Sequence, residues 1–327
     1  MMKKRIAIAA GGDSGEFDIS IKSASVVEEY LDRDIYQAYL IIFRGDEWSY
    51  TSDENKKYLV NRDDFSILIN DEKITFDAVF IAIHGTPGED GKLQGYLDML
   101  NIPYTACDRT TSAITFNKYY CNRLVSSFGV DVAPSVLFRK GREIVYEDVI
   151  KTTGLPCFVK PNSGGSSVGM SKVTDPAELP EAVNKAFSED QQVLVEGFIP
   201  GREITCGVIT IEGNPHSLPL TEIIPKNDFF DYEAKYTHGM AEEVTPADIP
   251  SKIEQQCRTI SEMLYEKLNC YGFVRFDYIF NESGIYFLEV NTVPGLSQSS
   301  IVPKQAAVDG ISLKELFSLS LQQALSR

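Results

Sequence analysis

Basic residues are in short supply. Lysine and arginine number 31 against 47 aspartate and glutamate, a net charge of −16, and so strong an excess of negative charge argues against nucleic acid or anionic membranes as partners. It does not exclude a compact polyanionic ligand, since a few local lysines can define a pocket. Long apolar runs are missing as well: none approaches the length of a membrane span, and Met1 to Arg5 leads directly into a strand instead of a signal peptide. Paired cysteine spacing is also absent. Cys107, Cys121, Cys157, Cys206, Cys257 and Cys270 are scattered, which predicts reduced, mostly buried thiols in a soluble cytoplasmic protein. There are no repeats, coiled-coil heptads or low-complexity linkers.

What is present is a long alternation of strands and helices. At 327 residues the chain has ample core and room for two or three domains. Its first third reads as strand Arg5 to Ala10, a helix near Ile19 to Leu31, strand Gln37 to Phe43, strand Ala78 to Ile83 and a helix near Leu93 to Leu100. That order predicts a parallel α/β sheet with its site at the strand C-terminal ends, where Glu16 and His84 fall. From about Cys107 the texture changes to a helix over Thr111 to Phe128, short strands, a Gly/Ser loop, and Asp175-Pro176-Ala177-Glu178, which combines an N-cap, proline at N1 and an acid at N3. Strands at Val193 to Gly197 and Glu203 to Ile211 follow, then an amphipathic helix through Ile253, Cys257, Ile260, Leu264 and Leu268, and a last helix capped by Ser312 with Glu315.

Two stretches carry chemistry. Phe273 to Phe280 and Ile285 to Val290 read as an antiparallel hairpin about Asn281-Glu282-Ser283-Gly284. Arg275 and Asp277 share one face of their strand, and Glu289 and Asn291 share one of theirs. An odd loop or a bulge would set Asp277 opposite Glu289, and two apposed carboxylates need a cation between them. Carboxylate and amide oxygens without thiolate suit Mg²⁺ or Mn²⁺ with positions left for phosphate oxygens; the alternative is a solvated hairpin edge whose acids face water. The second stretch is Phe158-Val159-Lys160-Pro161-Asn162-Ser163-Gly164-Gly165-Ser166-Ser167-Val168-Gly169, a strand ending in lysine that runs into glycines and serines. Bare N–H groups and hydroxyls there can close over a polyphosphate while Lys160 meets its charge. It lacks the Gly-Lys-Ser/Thr order of a Walker loop, and alone it could be a flexible connector.

With these motifs in order, the chain resembles the D-alanine:D-alanine ligases of the ATP-grasp superfamily. The resemblance covers nearly the whole length and includes Gly11 to Glu16 after the first strand, IHGTPGEDGKLQGYLDMLNIPYT (83–105), EGFIPGRE (196–203), DYEAKY (231–236) and NTVPGLSQSSIVP (291–303). It implies an α/β and α+β fold, in which an N-terminal parallel α/β domain (1–106) precedes a small ATP-grasp subdomain with a Gly/Ser lid (107–192) and a C-terminal subdomain with the metal hairpin (193–327). The implied reaction phosphorylates the carboxylate of one D-alanine with ATP, and the amine of a second attacks the acyl phosphate. By resemblance Lys118 and Lys160 hold ATP phosphates, Glu196 and Glu203 meet the adenine side and the ribose, Lys235 is a further cofactor-binding residue, and Asp277, Glu289 and Asn291 hold two Mg²⁺ or Mn²⁺ ions. Glu16 meets the first substrate's ammonium with His84 nearby, while Arg275 and the Gly295 N–H stabilise the oxyanion. Ser300 and the Ile301 N–H take the second carboxylate. Ser166 and Tyr236 link to Glu16 and close the site. A homodimer is the implied assembly.

The sequence departs from the family at Ser163-Gly164, where many relatives carry bulkier or charged residues, and at Phe17 after Glu16. Two other readings compete with the first. One is a relative joining D-alanine to D-lactate or D-serine, against which Tyr236 speaks. The other is a silent ATP-binding regulatory module, against which Arg275, Glu289, Asn291 and Ser300 speak.

Overall fold

The computed structural model describes residues 3–165, 168–225 and 241–327. It begins with β1 (Lys4–Gly11), α1 (Phe17–Tyr30) and β2 (Tyr36–Arg44), then four short strands, β3 (Glu47–Thr51), β4 (Lys57–Asn61), β5 (Ser66–Ile69) and β6 (Glu72–Ile74), before β7 (Ala78–Ile81) and α2 (Lys92–Met99). The sheet order is β6-β5-β4-β3-β2-β1-β7. Both neighbours of β1 are parallel to it, as the alternation of strands and helices predicts, while β3 to β6 extend the sheet antiparallel. Six consecutive residues of β1, Ile6 to Gly11, are buried, as expected of a central strand covered on both faces. On one face Ile6, Ile8 and Phe80 pack against Phe273, Phe317 and Leu321, so the far end of the chain supplies half of this core. On the other, Ile41, Phe43 and Ile81 meet Phe65, Leu97 and Val293.

The expected helix over Thr111 to Phe128 is two helices, α3 (Arg109–Phe116) and α4 (Lys118–Ser127). The break is Asn117, extended at φ −89° and ψ 99°, whose side chain accepts the Tyr120 N–H as the N-cap of α4. Asparagine competes with helical backbone through this bond, and Asn117 also forms a β-bridge to Ser163. Lys118 therefore starts a helix beside the Gly/Ser loop instead of lying midway along one.

The chain continues through β8 (Asp131–Val132), β9 (Ser135–Arg139), α5 (Tyr146–Thr153), β10 (Cys157–Pro161), β11 (Ser171–Val173), α6 (Leu179–Glu189) and β12 (Gln192–Gly197). Strands β11-β10-β12-β9 form a small sheet whose Val159, Val193 and Val195 pack on Leu179, Val183 and Ala186. Asp175 and Glu178 make the expected capping box, on a 3₁₀ turn that runs into α6. The remaining elements are β13 (Arg202–Ile211), β14 (Asn214–Ser217), β15 (Thr221–Pro225), β16 (Ala241–Val244), α7 (Ser251–Lys267), β17 (Val274–Asn281), β18 (Gly284–Asn291), α8 (Ile301–Val308) and α9 (Leu313–Leu325). They build a sheet of order β16-β15-β13-β17-β18-β8, with β14 paired to β13. Ile204, Cys206, Phe276 and Tyr278 face Cys257 and Leu264 of α7, and alternation turns Glu203, Thr205, Arg275 and Asp277 to the other face. Ser312 caps α9 by accepting the Glu315 N–H, and all six cysteines are buried free thiols, as expected. Among the described residues no helix is long and apolar enough to cross a membrane.

Candidate active site

A cleft of about 1060 Å³ is lined by the loops after β1 and β7 of the first sheet and by strands of the other two sheets, among the lining residues Glu16, Lys118, Lys160, Glu203, Asp277 and Glu289. Its floor depends on one irregularity. The tight turn of the β17–β18 hairpin pairs Asn281 with Gly284 and Tyr278 with Phe287, a register that would bring Leu288 opposite Asp277. The register shifts between Asp277 and Tyr278, and Glu289 becomes the partner of Asp277. This is the bulge that the even spacing of the two acids requires.

Asp277 is almost wholly enclosed and satisfied by neighbours of its own face. Arg275 bonds it twice, Nε to Oδ1 at 2.8 Å and Nη2 to Oδ2 at 2.8 Å, and Asn291 Nδ2 donates to Oδ2 at 3.0 Å. Burial opposes the Arg275 charge, yet the adjoining Asp277 carboxylate outweighs it and holds the guanidinium above its usual range. Glu289 Oε2 lies 3.5 Å from Lys118 Nζ, which donates to the Gly164 carbonyl at 2.6 Å. Two carboxylates and an amide, all hard oxygen donors, fit Mg²⁺ or Mn²⁺, which complete their shells with phosphate oxygens and water.

The residues expected on the nucleotide side line the same cleft. Lys160, at the end of β10, is ion-paired with Glu196 of β12, whose other oxygen accepts from Asn122 Nδ2 at 2.7 Å. The base of the Gly/Ser loop is fixed by Asn162, fully buried: its carbonyl takes the Lys118 N–H at 3.0 Å, its Oδ1 takes the Tyr119 N–H at 2.9 Å, and its Nδ2 donates to Gln192 Oε1 at 2.8 Å. The loop then passes over Glu16. A methyl group on Gly165 would stand 3.1 Å from Glu16 Oε2, and one on Gly85 3.5 Å from the same atom. A side chain at Gly165 would crowd that carboxylate, and at Gly85 the positive φ of 71° and Ser14, 2.8 Å from an added methyl, favour glycine.

His84 is buried, and its ring is held on both sides by the protein. Its Nδ1 donates to the Val293 carbonyl at 2.8 Å, and its Nε2 accepts from Ser23 Oγ at 2.9 Å, the serine in turn accepting the Leu296 N–H at 3.2 Å. Both nitrogens are thereby engaged by protein, and burial holds the imidazole below its ordinary pKa of 6.5. It braces the loop that carries Gly295 against the first sheet. Ser300 stands at the N-cap position of α8, its Oγ 2.8 Å from Ser297 Oγ, and Ile301 begins the helix at the cleft wall. A methyl on Gly295 would meet Ser300 Oγ at 2.8 Å, so these two sites adjoin. Ser166, Lys235 and Tyr236 lie outside the described residues.

Glu89 lies within the HGTPGEDG run. Glu89 accepts the Gly85 N–H at 2.7 Å and the Val293 N–H at 3.2 Å, tying together the loops after β7 and β18. Its spacing resembles that of any loop acid, so only contact reveals the role. Burial first, and the Glu16 charge second, push its carboxyl up from 4.5 to about 8. The folded form then binds more protons than the unfolded form across that interval, so stability should fall as pH rises from about 4.5 to 8. Chemical denaturation at several pH values checks this: Glu89→Gln should flatten that slope, and an unchanged slope would show that another group is responsible.

Comparison with known proteins bears on the same features. The family model described as D-ala D-ala ligase N-terminus matches residues 5–107, and that described as D-ala D-ala ligase C-terminus matches 124–322. The chain belongs to the D-alanine–D-alanine ligase family. It is 44% identical over 326 residues to the D-alanine--D-alanine ligase of Christiangramia forsetii, covering 100% of both, and 43% identical over 318 residues to that of Phocaeicola vulgatus, covering 97% of this chain and 98% of the relative. Among solved structures it is similar to D-alanyl-alanine synthetase A from Vibrio cholerae (TM-score 0.90, 26% identity, 100% of both chains). It is also similar to the VanG D-Ala:D-Ser ligase from Enterococcus faecalis (TM-score 0.88, 32% identity, 99% of this chain and 100% of that one). The ATP-grasp fold of this family is the architecture described above.

Proposed function

We propose that this chain joins two D-alanines at the expense of ATP through an acyl phosphate, releasing ADP, phosphate and the dipeptide used for peptidoglycan precursors. Ligase activity and the cell-wall role follow from family membership; the route and the residue roles are the proposal. The observation that supports them best is the bulged pairing of Asp277 with Glu289 in one cleft with Lys118 and Lys160.

Asp277, Glu289 and Asn291 would hold the divalent ions, which supply neutralisation of phosphate charge when bound. Lys118, Lys160 and Lys235 gather the phosphates, so Lys160 exchanges its Glu196 partner for a phosphate oxygen while Glu196 turns to the adenine side and Glu203 to the ribose. Spreading the negative charge of the transferring group over fixed cations lowers the barrier without a reorganisation cost. Glu16 receives the first substrate's ammonium between the Gly85 and Gly165 backbones. Arg275 and the Gly295 N–H receive the tetrahedral oxyanion, and Ser300 with the Ile301 N–H, at the free N-terminus of α8, hold the second carboxylate. His84 serves by bracing the Gly295 loop. Ser166 and Tyr236 complete the hydrogen-bonded link to Glu16 that favours an attacking amine over a hydroxyl. The enzyme works in the cytoplasm, as a homodimer.

Phosphate release with D-alanine alone, and with D-alanine in competition with D-serine or D-lactate, tests this reading. D-alanine should be strongly preferred near pH 7. Efficient depsipeptide or mixed D-alanyl-D-serine formation in competition would overturn it in favour of a ligase of the VanG kind.

A further inference from the structure

Three buried side-chain atoms have no hydrogen-bond partner among the described residues: Gln94 Oε1, Asn122 Oδ1 and Thr205 Oγ1. The first two belong to amides whose nitrogens are engaged, Gln94 with the Gly88 carbonyl and Asn122 with Glu196. Thr205 alone of the three lies on the cleft wall, and its hydroxyl is its entire polar capacity.

Its surroundings make the orphan conspicuous. Thr205 is 1% exposed, on the face of β13 that turns away from Ile204 and Cys206, and its register partners are Asp277 on β17 and Thr221 on β15. Its backbone is held firmly. Gln305 Nε2 of α8 donates to the Thr205 carbonyl at 3.0 Å and to Thr221 Oγ1 at 3.1 Å, and Gln305 Oε1 accepts the Gly207 N–H at 3.0 Å. Thr221 Oγ1 pairs with Thr245 Oγ1 at 2.7 Å. Gln305, Thr221 and Thr245 beside Thr205 are thus bonded to one another or to backbone, while a valine of the same shape at this strand position would avoid burying an unused hydroxyl.

Directly across the ladder stands a carboxylate fully engaged elsewhere. Asp277 takes two bonds from Arg275 and one from Asn291. In the proposed reaction the two Arg275 bonds do not both persist, because Arg275 turns to the oxyanion while Asp277 meets the cation; Asn291 can keep its Nδ2 bond and offer Oδ1 to the cation. The cation then compensates the carboxylate's charge but donates no hydrogen bond, so an oxygen lone pair that Arg275 vacates in this enclosed site is left for a neighbouring donor. Side chains directly opposite in an antiparallel pair have Cβ atoms about 5 Å apart, within reach of a hydroxyl and a carboxylate.

We infer that Thr205 is a positioning residue, whose hydroxyl donates to Asp277 once Arg275 releases it and so holds the carboxylate in its cation-binding orientation. This rests on the reading of Asp277 as a metal ligand, and the experiment separates the two. Mn²⁺ affinity in the presence of ADP is measured by titration calorimetry for the parent, Thr205→Val, Thr205→Ser and Asp277→Asn, along with the melting temperature of each without ligand. Thr205→Val should bind Mn²⁺ roughly tenfold more weakly, the loss expected for a hydrogen bond to a charged group. It should melt at or slightly above the parent temperature, because it removes an unsatisfied hydroxyl. Thr205→Ser, which keeps the donor, should bind within about twofold of the parent. Unchanged Mn²⁺ affinity in Thr205→Val would overturn the inference, as would a ligand-free melting point several degrees lower or an equal loss in Thr205→Ser. Parent-like Mn²⁺ binding by Asp277→Asn would instead remove the metal reading on which it stands.

Discussion

Replacing Glu289 by glutamine is expected to reduce turnover by on the order of a thousandfold while leaving the fold intact. The change is nearly isosteric, and Glu289 is partly exposed at the cleft wall, with a side-chain accessibility of 29%, so little packing is lost. What changes is charge. With Glu289 neutral, the apposed pair keeps one carboxylate, Asp277, and that one is already bonded by Arg275 and Asn291. A hard cation binds through its charge-bearing oxygens, and losing several kcal/mol of charge stabilisation during phosphoryl transfer corresponds to about three decades in rate, at ~1.4 kcal/mol per decade. Lys118 is affected too, because its ammonium lies 3.5 Å from the Glu289 carboxylate and would lose that opposite charge while keeping its bond to the Gly164 carbonyl. Steady-state phosphate release over a Mg²⁺ titration, with melting temperatures as the fold control, measures the effect. Normal turnover at low Mg²⁺ would end the metal assignment.

The apposition of Asp277 and Glu289 could be framed from the residues alone, because strand alternation has a period of two and the parity of their spacing calls for an odd loop or a bulge if both are to face one ligand; the structure has the bulge. The capping box at Asp175 and the cap of α9 at Ser312 were legible for a similar reason: each is a bond between a side chain and the backbone a few positions away. The parallel heart of the first sheet was legible in the alternation of strands and helices along the first third of the chain. The four antiparallel strands from Glu47 to Ile74 were not, since they are three to five residues long and rich in turn residues and charge. The break at Asn117 escaped because the apolar periodicity of α3 runs on into α4, and what interrupts the helix is a bridge to Ser163, forty-six positions away. His84 reads as a site histidine after a strand, yet its two partners, Ser23 and Val293, are visible only in three dimensions. Glu89 and Thr205 escaped for the same reason. Each looks ordinary in its own segment, and its meaning comes from the element packed against it.

Removing Arg275 should be costly in two independent ways, and the way to tell them apart is to add the cation. The guanidinium and Asp277 form a two-point pair with side-chain accessibilities of only 20% and 8%. Arg275→Ala would strand the carboxylate in an enclosed site, a change worth about 3–5 kcal/mol when one member of a buried pair is deleted. Catalysis should suffer separately, by on the order of a hundredfold to a thousandfold, as for loss of an oxyanion donor. Arg275→Lys keeps the charge and loses the planar two-point geometry, so it should recover part of the stability and little of the rate. A divalent ion beside Asp277 can replace the missing positive charge, so Mg²⁺ with ADP should raise the melting temperature of Arg275→Ala by more than it raises that of the parent. Thermal denaturation of the three proteins, with and without Mg²⁺ and ADP, checks this directly. An Arg275→Ala protein that melts within a degree of the parent would show that Asp277 is not a charge dependent on its neighbour. Equal ligand stabilisation in both proteins would show that the cation does not sit where the guanidinium does.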